Sequence, residues 1–239
     1  MRRGAYDGGG RTGPTGKAMC GRFTQDVEGD ELVDLYELDP FVPKVELRKR
    51  WNGAPTQVFA VCRTGLDGQR ELAAQRWGLV PPWSRDAKIG SRLINARSET
   101  VDSKPAFRSA FRRRRCLVPF NGWFEWQNDG SCKQPWWISR PGELLSFAGL
   151  WESWDRGAGR IDSFTVVTCR AGPSLQWLHH RQPAIIPRDR YREWLDPATR
   201  EPELLSLVQT PLSGPFDCRR VGLEVNTPRN DYPELLASV

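Results

Sequence analysis

Seven short runs, at 57–63, 71–77, 115–119, 122–127, 135–139, 144–150 and 163–169, are apolar throughout or alternate apolar with polar residues. Runs of this length and pattern read as β-strands. The stretch Asn128-Asp129-Gly130-Ser131 between two tryptophan-bearing runs marks a hairpin turn. Helical spacing is confined to 30–38, closed by Pro40, and to 103–114, 188–195 and 201–207, the last with Pro202 in its first turn. The helices interrupt the strands without a βαβ rhythm, and no internal repeat is visible. The pattern therefore predicts an α+β fold, a single domain with a curved, barrel-like mixed β-sheet core and peripheral helices.

Residues 1–18 stand apart. They hold six glycines and no Leu, Ile, Val or Phe, so they cannot bury enough apolar surface to offset the entropy of ordering them. We read them as a disordered extension and 19–239 as the folded domain, with no linker dividing it. The two methionines of the chain are Met1 and Met19. Met19 directly precedes Cys20, so a start at Met19, with the methionine trimmed, would leave Cys20 as the first residue. A flexible tail with Cys20 internal is the alternative.

The net charge of +6 hints at an anionic partner. Half of that charge lies in residues 1–18, so the body is only mildly basic and a nucleic-acid footprint must come from how its charges are grouped. Six scattered cysteines without a C-x-x-C, and two adjacent histidines, fit neither a zinc site nor a dense disulfide framework. Reduced thiols in a cytoplasmic protein are expected, with no metal and no cofactor. No apolar run reaches the roughly 18 residues of a membrane span, and no apolar core follows Met-Arg-Arg as in a secretory signal.

Cys20 is the residue with the most unusual chemical potential. A free α-amine has a pKa of roughly 7.7–8, leaving a usable fraction of free base near neutrality. Beside a thiol it forms a 1,2-aminothiol, which condenses with an aldehyde to an imine and then closes a thiazolidine ring. An internal cysteine lacks that amine, and its ordinary fate is to be a small buried hydrophobe. Glu125 lies in GWFEW, where strand alternation puts Trp123 and Glu125 on one face and Phe124 and Trp126 on the other. Among indoles its carboxyl should be desolvated and its pKa raised toward acid–base use; an edge-strand Glu facing water is the alternative. Asn95 and Arg97 share a face if INARSET, 94–100, is extended, an amide to orient a substrate group and a guanidinium for a phosphate. His179 could shuttle protons or be a satisfied structural histidine. The run Arg112–Arg115 suits DNA phosphates or a solvated helix end. Most of the eleven tryptophans must be core, while exposed ones would offer stacking platforms for unpaired bases.

The segments MCGRFTQ, RWNGAPTQ, WGLVPPW, LINARSETV, RRRCLVPFNGWFEW, FAGLWE, FTVVTC, HHRQPAII and VNTPRNDYPEL occur in an order that closely resembles the SRAP family, the SOS-response-associated peptidase or abasic-site-processing proteins. The resemblance runs from Met19 to about Leu236. It implies a monomeric cytoplasmic protein, associated with the nucleoid when bound to its partner, single-stranded DNA with abasic sites. It further implies covalent capture of the lesion as a thiazolidine DNA–protein crosslink through an N-terminal cysteine. By the same resemblance Cys20 is the crosslinking residue, Asn95 positions its amine, and Glu125 is the acid/base for sugar-ring opening and imine formation. His179 serves catalysis and crosslink reversal, and Arg22, Trp77 and Arg97 contact DNA. Lyase-like strand cleavage and peptidase-like self-removal of an N-terminal segment are also implied. Many members carry an acidic residue after the histidine, where this chain has His180. Two other functions stay open on the residues alone: a cysteine-dependent peptidase and a non-covalent single-stranded DNA binding module.

Overall fold

The computed structural model describes residues 20–39, 45–46, 48–65, 68–128, 130, 133–156 and 159–239. The expected leader 1–18 lies outside the described residues, as do Asp129 and Ser131 of the expected hairpin turn. In chain order the strands are β1 (Phe23–Gln25), β2 (Arg50–Gly53), β3 (Val58–Thr64), β4 (Arg70–Trp77), β5 (Asn95–Arg97), β6 (Arg115–Phe120) and β7 (Gly122–Asn128). They continue as β8 (Lys133–Ser139), β9 (Leu145–Asp155), β10 (Arg160–Arg170), β11 (Arg181–Pro183), β12 (Ile185–Ile186) and β13 (Asp217–Arg220). The α-helices are α1 (Gly29–Tyr36), α2 (Arg108–Arg113), α3 (Tyr191–Leu195) and α4 (Glu201–Gln209).

Five strands close on themselves. β3 is antiparallel to β4 and β6, β6 to β9, and β9 to β10, while β10 returns parallel to β4 through Ser163↔Arg76 and Phe164↔Trp77. This is the curved, mixed, barrel-like core that the strand pattern predicts. Closure removes the exposed edges an open sheet would carry. β5 adds in parallel to β10, and β11 and β12 extend the edges of β10 and β9. A second, antiparallel sheet runs β13-β8-β7-β1-β2.

Alternation along each barrel strand sorts the core into two layers. Phe59, Val61, Cys116, Val118, Phe147 and Phe164 join Phe23 and Trp123 of the second sheet in one cluster, which also holds Cys20. The intervening residues, such as Ala60, Cys62, Leu117 and Ala148, pack beneath the apolar faces of the four helices. A third cluster, Phe124, Trp137, Val221 and Val225, lies on the far side of the second sheet under the C-terminal segment.

Polar clasps join these layers. The Gln25 amide donates to the carbonyls of Ala60 (3.1 Å) and Pro119 (2.9 Å) and accepts from Ala60 N–H, tying β1 to barrel strands β3 and β6. Asn52 donates to the carbonyls of Val225, Thr227 and Asn230, and Asp231 accepts from the N–H groups of Trp51 and Asn52. The motifs RWNGAPTQ and VNTPRNDYPEL are thus two halves of one clasp. Gly78 of WGLVPPW has φ +119°, and a Cβ there would lie 2.6 Å from the Gly90 carbonyl oxygen. Only glycine allows this loop to fold back on itself.

The helix expected over 103–114 begins at Arg108, because Pro105 disfavours helical geometry at Lys104 and the preceding residues form turns. The arginine run at its end is largely bound within the protein. Arg112 pairs with Glu201 (2.6 Å) and Arg114 with the buried Glu152 (2.7 Å). Arg115 is buried and donates to the carbonyls of Trp194, Phe111, Arg112 and Asp196 at 2.6–2.8 Å. Desolvation lowers its pKa to about 10. Its role is to satisfy carbonyls of α2 and α3 against the barrel, and Arg113 is left exposed. Arg115→Met should leave those acceptors buried and unpaired, costing about 3–5 kcal/mol of stability, seen as a lower urea midpoint at unchanged slope.

Candidate active site

Cys20 precedes β1 and sits at the seam between the barrel and the second sheet. It is 1% exposed and belongs to the aromatic cluster that lines that seam. Two polar side chains grip its backbone. The Cys20 N–H donates to Glu125 Oε1 at 3.1 Å, and the Cys20 carbonyl accepts from Asn95 Nδ2 at 3.2 Å. Glu125 comes from β7, adjacent to β1, and Asn95 from β5, aligned on barrel strand β10 opposite Val166. Two residues, 75 and 105 positions from Cys20 in sequence, therefore meet at its backbone.

Glu125 is only 5% exposed. Burial raises its pKa from the ordinary 4.5 to about 8, partly offset by the hydrogen bond from Cys20. Its carboxyl holds a proton across the neutral range. The Cys20 thiol is pushed well above its ordinary value, first by burial and then by the charge of Glu125. A thiol in this setting is a poor source of thiolate.

The other sequence candidates fall into different places. Asn95 and Arg97 do share one strand; Arg97 is exposed at the rim. It lines a concavity of about 650 Å³ with Glu99, Arg170, Gln176, His180 and Arg181. Arg22 is half-buried and donates to Asn52 Oδ1 and the Val225 carbonyl, both at 2.8 Å, with burial lowering its pKa. Its guanidinium belongs to the C-terminal clasp. His179 has Nδ1 between the backbone N–H (3.1 Å) and carbonyl (2.9 Å) of Arg181, which leaves Nε2 for other work. No hydrogen bond among the described residues joins it to Cys20 or Glu125, although the preceding Leu178 packs in the same cluster as Cys20.

Trp77 corrects the expectation of a DNA-facing indole. It is 0% exposed, donates its indole N–H to the Ile94 carbonyl (2.9 Å) and packs edge-on to Phe23 at 5.0 Å. With no accessible ring face it acts as a buttress, fixing the residue before Asn95 and the strand that follows Cys20. The sequence reading missed the exposed Trp83 (53%), the Trp136–Trp177 pair and the ion pair of Arg181 with Glu99 (2.6 Å). Alternating strands flag inward residues, but tryptophans in turns give no such signal.

A cysteine held through its backbone by a protonated carboxyl and an amide, at the seam of a closed barrel and a sheet, defines an α+β protein built around a cysteine near the start of its fold. Residues 19–228 match the family model described as SOS response associated peptidase (SRAP), and the chain belongs to that family. It is 36% identical over 225 residues to the abasic site processing protein YoqW of Bacillus subtilis, covering 92% of this chain and 100% of the relative. A phage-related protein of Bordetella bronchiseptica superposes with a TM-score of 0.67 at 30% identity, covering 84% of this chain and 94% of its own. A Bacteroides thetaiotaomicron protein shares the fold with a TM-score of 0.82 at 24% identity, covering 92% of this chain and 100% of its own. Among the described residues no helix is long and apolar enough to cross a membrane, and no group of three or more His, Cys, Asp or Glu side chains is placed to hold a metal ion.

The raised carboxyl pKa sets a pH test. The folded state keeps a proton on Glu125 between about pH 4.5 and 8 that the unfolded chain has lost, so this group's contribution to stability declines as pH rises through that window. Glu125→Gln, a neutral isostere, should flatten the decline. Its melting temperature should exceed the parent's near pH 8.5, by an equivalent of about 2 kcal/mol, and the gap should close toward pH 4.

Proposed function

We propose that the protein recognises abasic sites in single-stranded DNA and holds them covalently through Cys20, in a form of the chain whose first residue is Cys20. The observation that carries this reading is the 3.1 Å contact between the Cys20 nitrogen and the buried Glu125 carboxyl, whose pKa burial raises. At a chain terminus that nitrogen is an amine, and the same carboxyl lies within proton-transfer distance of it. The name of the Bacillus relative, abasic site processing protein, points to the same lesion.

The chemistry follows from the pKa order. With the thiol held protonated, the amine attacks first. It adds to the C1 aldehyde of the ring-opened sugar, and Glu125 protonates the departing hydroxyl, so that water leaves and an imine forms. The Cys20 sulfur then bonds to the imine carbon while its proton passes to nitrogen, closing the thiazolidine. Asn95 fixes the Cys20 carbonyl, and with it the direction of the nitrogen. Arg97, exposed at the rim, would take a phosphate, and His179 would serve proton transfer during closure or reversal. Lyase-like cleavage would pass through the same imine. A thiolate peptidase is favoured less, because burial raises the Cys20 thiol pKa, whereas a cysteine nucleophile needs it lowered.

Protein beginning at Cys20, mixed with a single-stranded oligonucleotide carrying one abasic site, should give a product that survives denaturing electrophoresis. Cys20→Ala should abolish it, and Glu125→Gln should slow it by about 100-fold or more. A shifted band that persists in Cys20→Ala would sink the assignment.

A further inference from the structure

Two tryptophans that no step above uses stand beside this site. Trp136 of β8 is the register partner of Glu125 across β7 and β8, so the two side chains lie on the same face of the second sheet. Trp136 is half-buried against the cluster that contains Cys20, and its indole N–H donates to Gln127 Oε1 at 3.1 Å. Trp177 packs on it edge to face, with centroids 4.9 Å apart and planes at 81°. The Trp177 N–H is also satisfied, by the Ser174 carbonyl at 2.9 Å, yet the residue remains 48% exposed. An indole whose polar atom is bound within the protein and whose rings face water is not completing a core. It presents a stacking surface.

The turn that carries Trp177 supplies the second half of the argument. It runs from Ala171 to His180, closed by the Ala171 N–H to the His180 carbonyl at 3.0 Å. Ala171, Gln176 and His180 of this turn line the concavity that also holds Arg97 and Arg170. This short turn thus lies between a concavity that holds Arg97 and Arg170 and an indole packed on Trp136, the cross-strand neighbour of Glu125. A cationic track flanked by an aromatic platform is the arrangement that takes a nucleic-acid strand with its bases unstacked.

We infer that Trp177, braced by Trp136, stacks an unpaired nucleobase adjacent to the abasic sugar, and so positions the lesion over Cys20. The inference rests on the proposed lesion capture for its choice of ligand. It adds a dependence that capture alone does not carry: a requirement for a base at a neighbouring nucleotide. The platform makes no bond to substrate and has no donor to offer, so it favours the larger purine surfaces without reading their edges.

The test uses protein beginning at Cys20 and two sets of single strands, one with an abasic site flanked by purines, the other with baseless spacers at the flanking positions. A third strand, intact and free of lesions, reports non-covalent affinity. Trp177→Ala should weaken binding of the purine-flanked strand by about 5- to 100-fold, whereas Trp177→Phe should retain most of the affinity. The parent should lose a comparable factor on the spacer strand, and Trp177→Ala should no longer distinguish the two. Equal loss on both strands would mean that Trp177 is merely structural, and no loss on either would mean that it is a bystander; each overturns the proposal. Should no covalent product form with any variant, while the intact strand still binds through Trp177, lesion capture fails and the stacking assignment survives.

Discussion

A carboxyl group buried at the joint of two sheets, facing a backbone nitrogen, is the constraint on which the site depends. Ionised, Glu125 would carry an uncompensated charge in a wall of Trp and Phe, so the folded chain keeps it neutral until about pH 8. A neutral carboxylic acid can both accept the Cys20 N–H and give up a proton, which an ordinary surface glutamate cannot do at neutrality. The balance depends on what stands opposite. With an amide nitrogen the carboxyl stays protonated. With an ammonium, its proton would move out and the pair would become ionic, each partner stabilising the other's charge. Lesion capture as proposed uses this exchange, since an imine forms only once the amine has given its proton away.

The rest of the fold holds that opposition in place. β1 is only three residues long, yet it is clamped from both sides, by Gln25 to barrel strands β3 and β6 and by pairing with β2 and β7 in the second sheet. Trp77 then reaches from the barrel to Phe23 and to Ile94, the neighbour of Asn95. Cys20, Glu125 and Asn95 thus stand on three elements whose relative positions are fixed by buried polar bonds and close aromatic packing. Such bonds are costly to break once water is excluded. Lesion capture as proposed, which must align a nitrogen, a sulfur and a carboxyl, would gain from this rigidity.

The long strands were legible because each buries alternate residues against two different layers. The alternation in GWFEW correctly separates Trp123 and Glu125 from Phe124 and Trp126, which pack in different clusters. Strands of two to four residues, such as β1, β2 and β11 to β13, carry too few periods for alternation to register, and their pairing depends on partners far away in sequence. Arg115 illustrates a second limit. In a run of four arginines nothing local marks the one that turns inward; the four carbonyls that receive it become available only when α2 and α3 dock on the barrel. Pairing Asn95 with Arg97 on one face needed only a guess of extended backbone, which β5 satisfies.

Charge counting fares worst, and the reason bears on how nucleic acid would be met. Arg112, Arg114 and Arg181 are held by carboxylates, Arg115 by carbonyls and Arg22 by the C-terminal clasp, so a positive total says little about where a phosphate could sit. Arg97 is different: it makes no ion pair among the described residues and projects at the end of the strand that begins with Asn95. An exposed cation without an ion pair, two residues from Asn95, costs little to keep hydrated and can meet a phosphate. Binding energy for a strand would therefore be concentrated at the rim and directed toward Cys20.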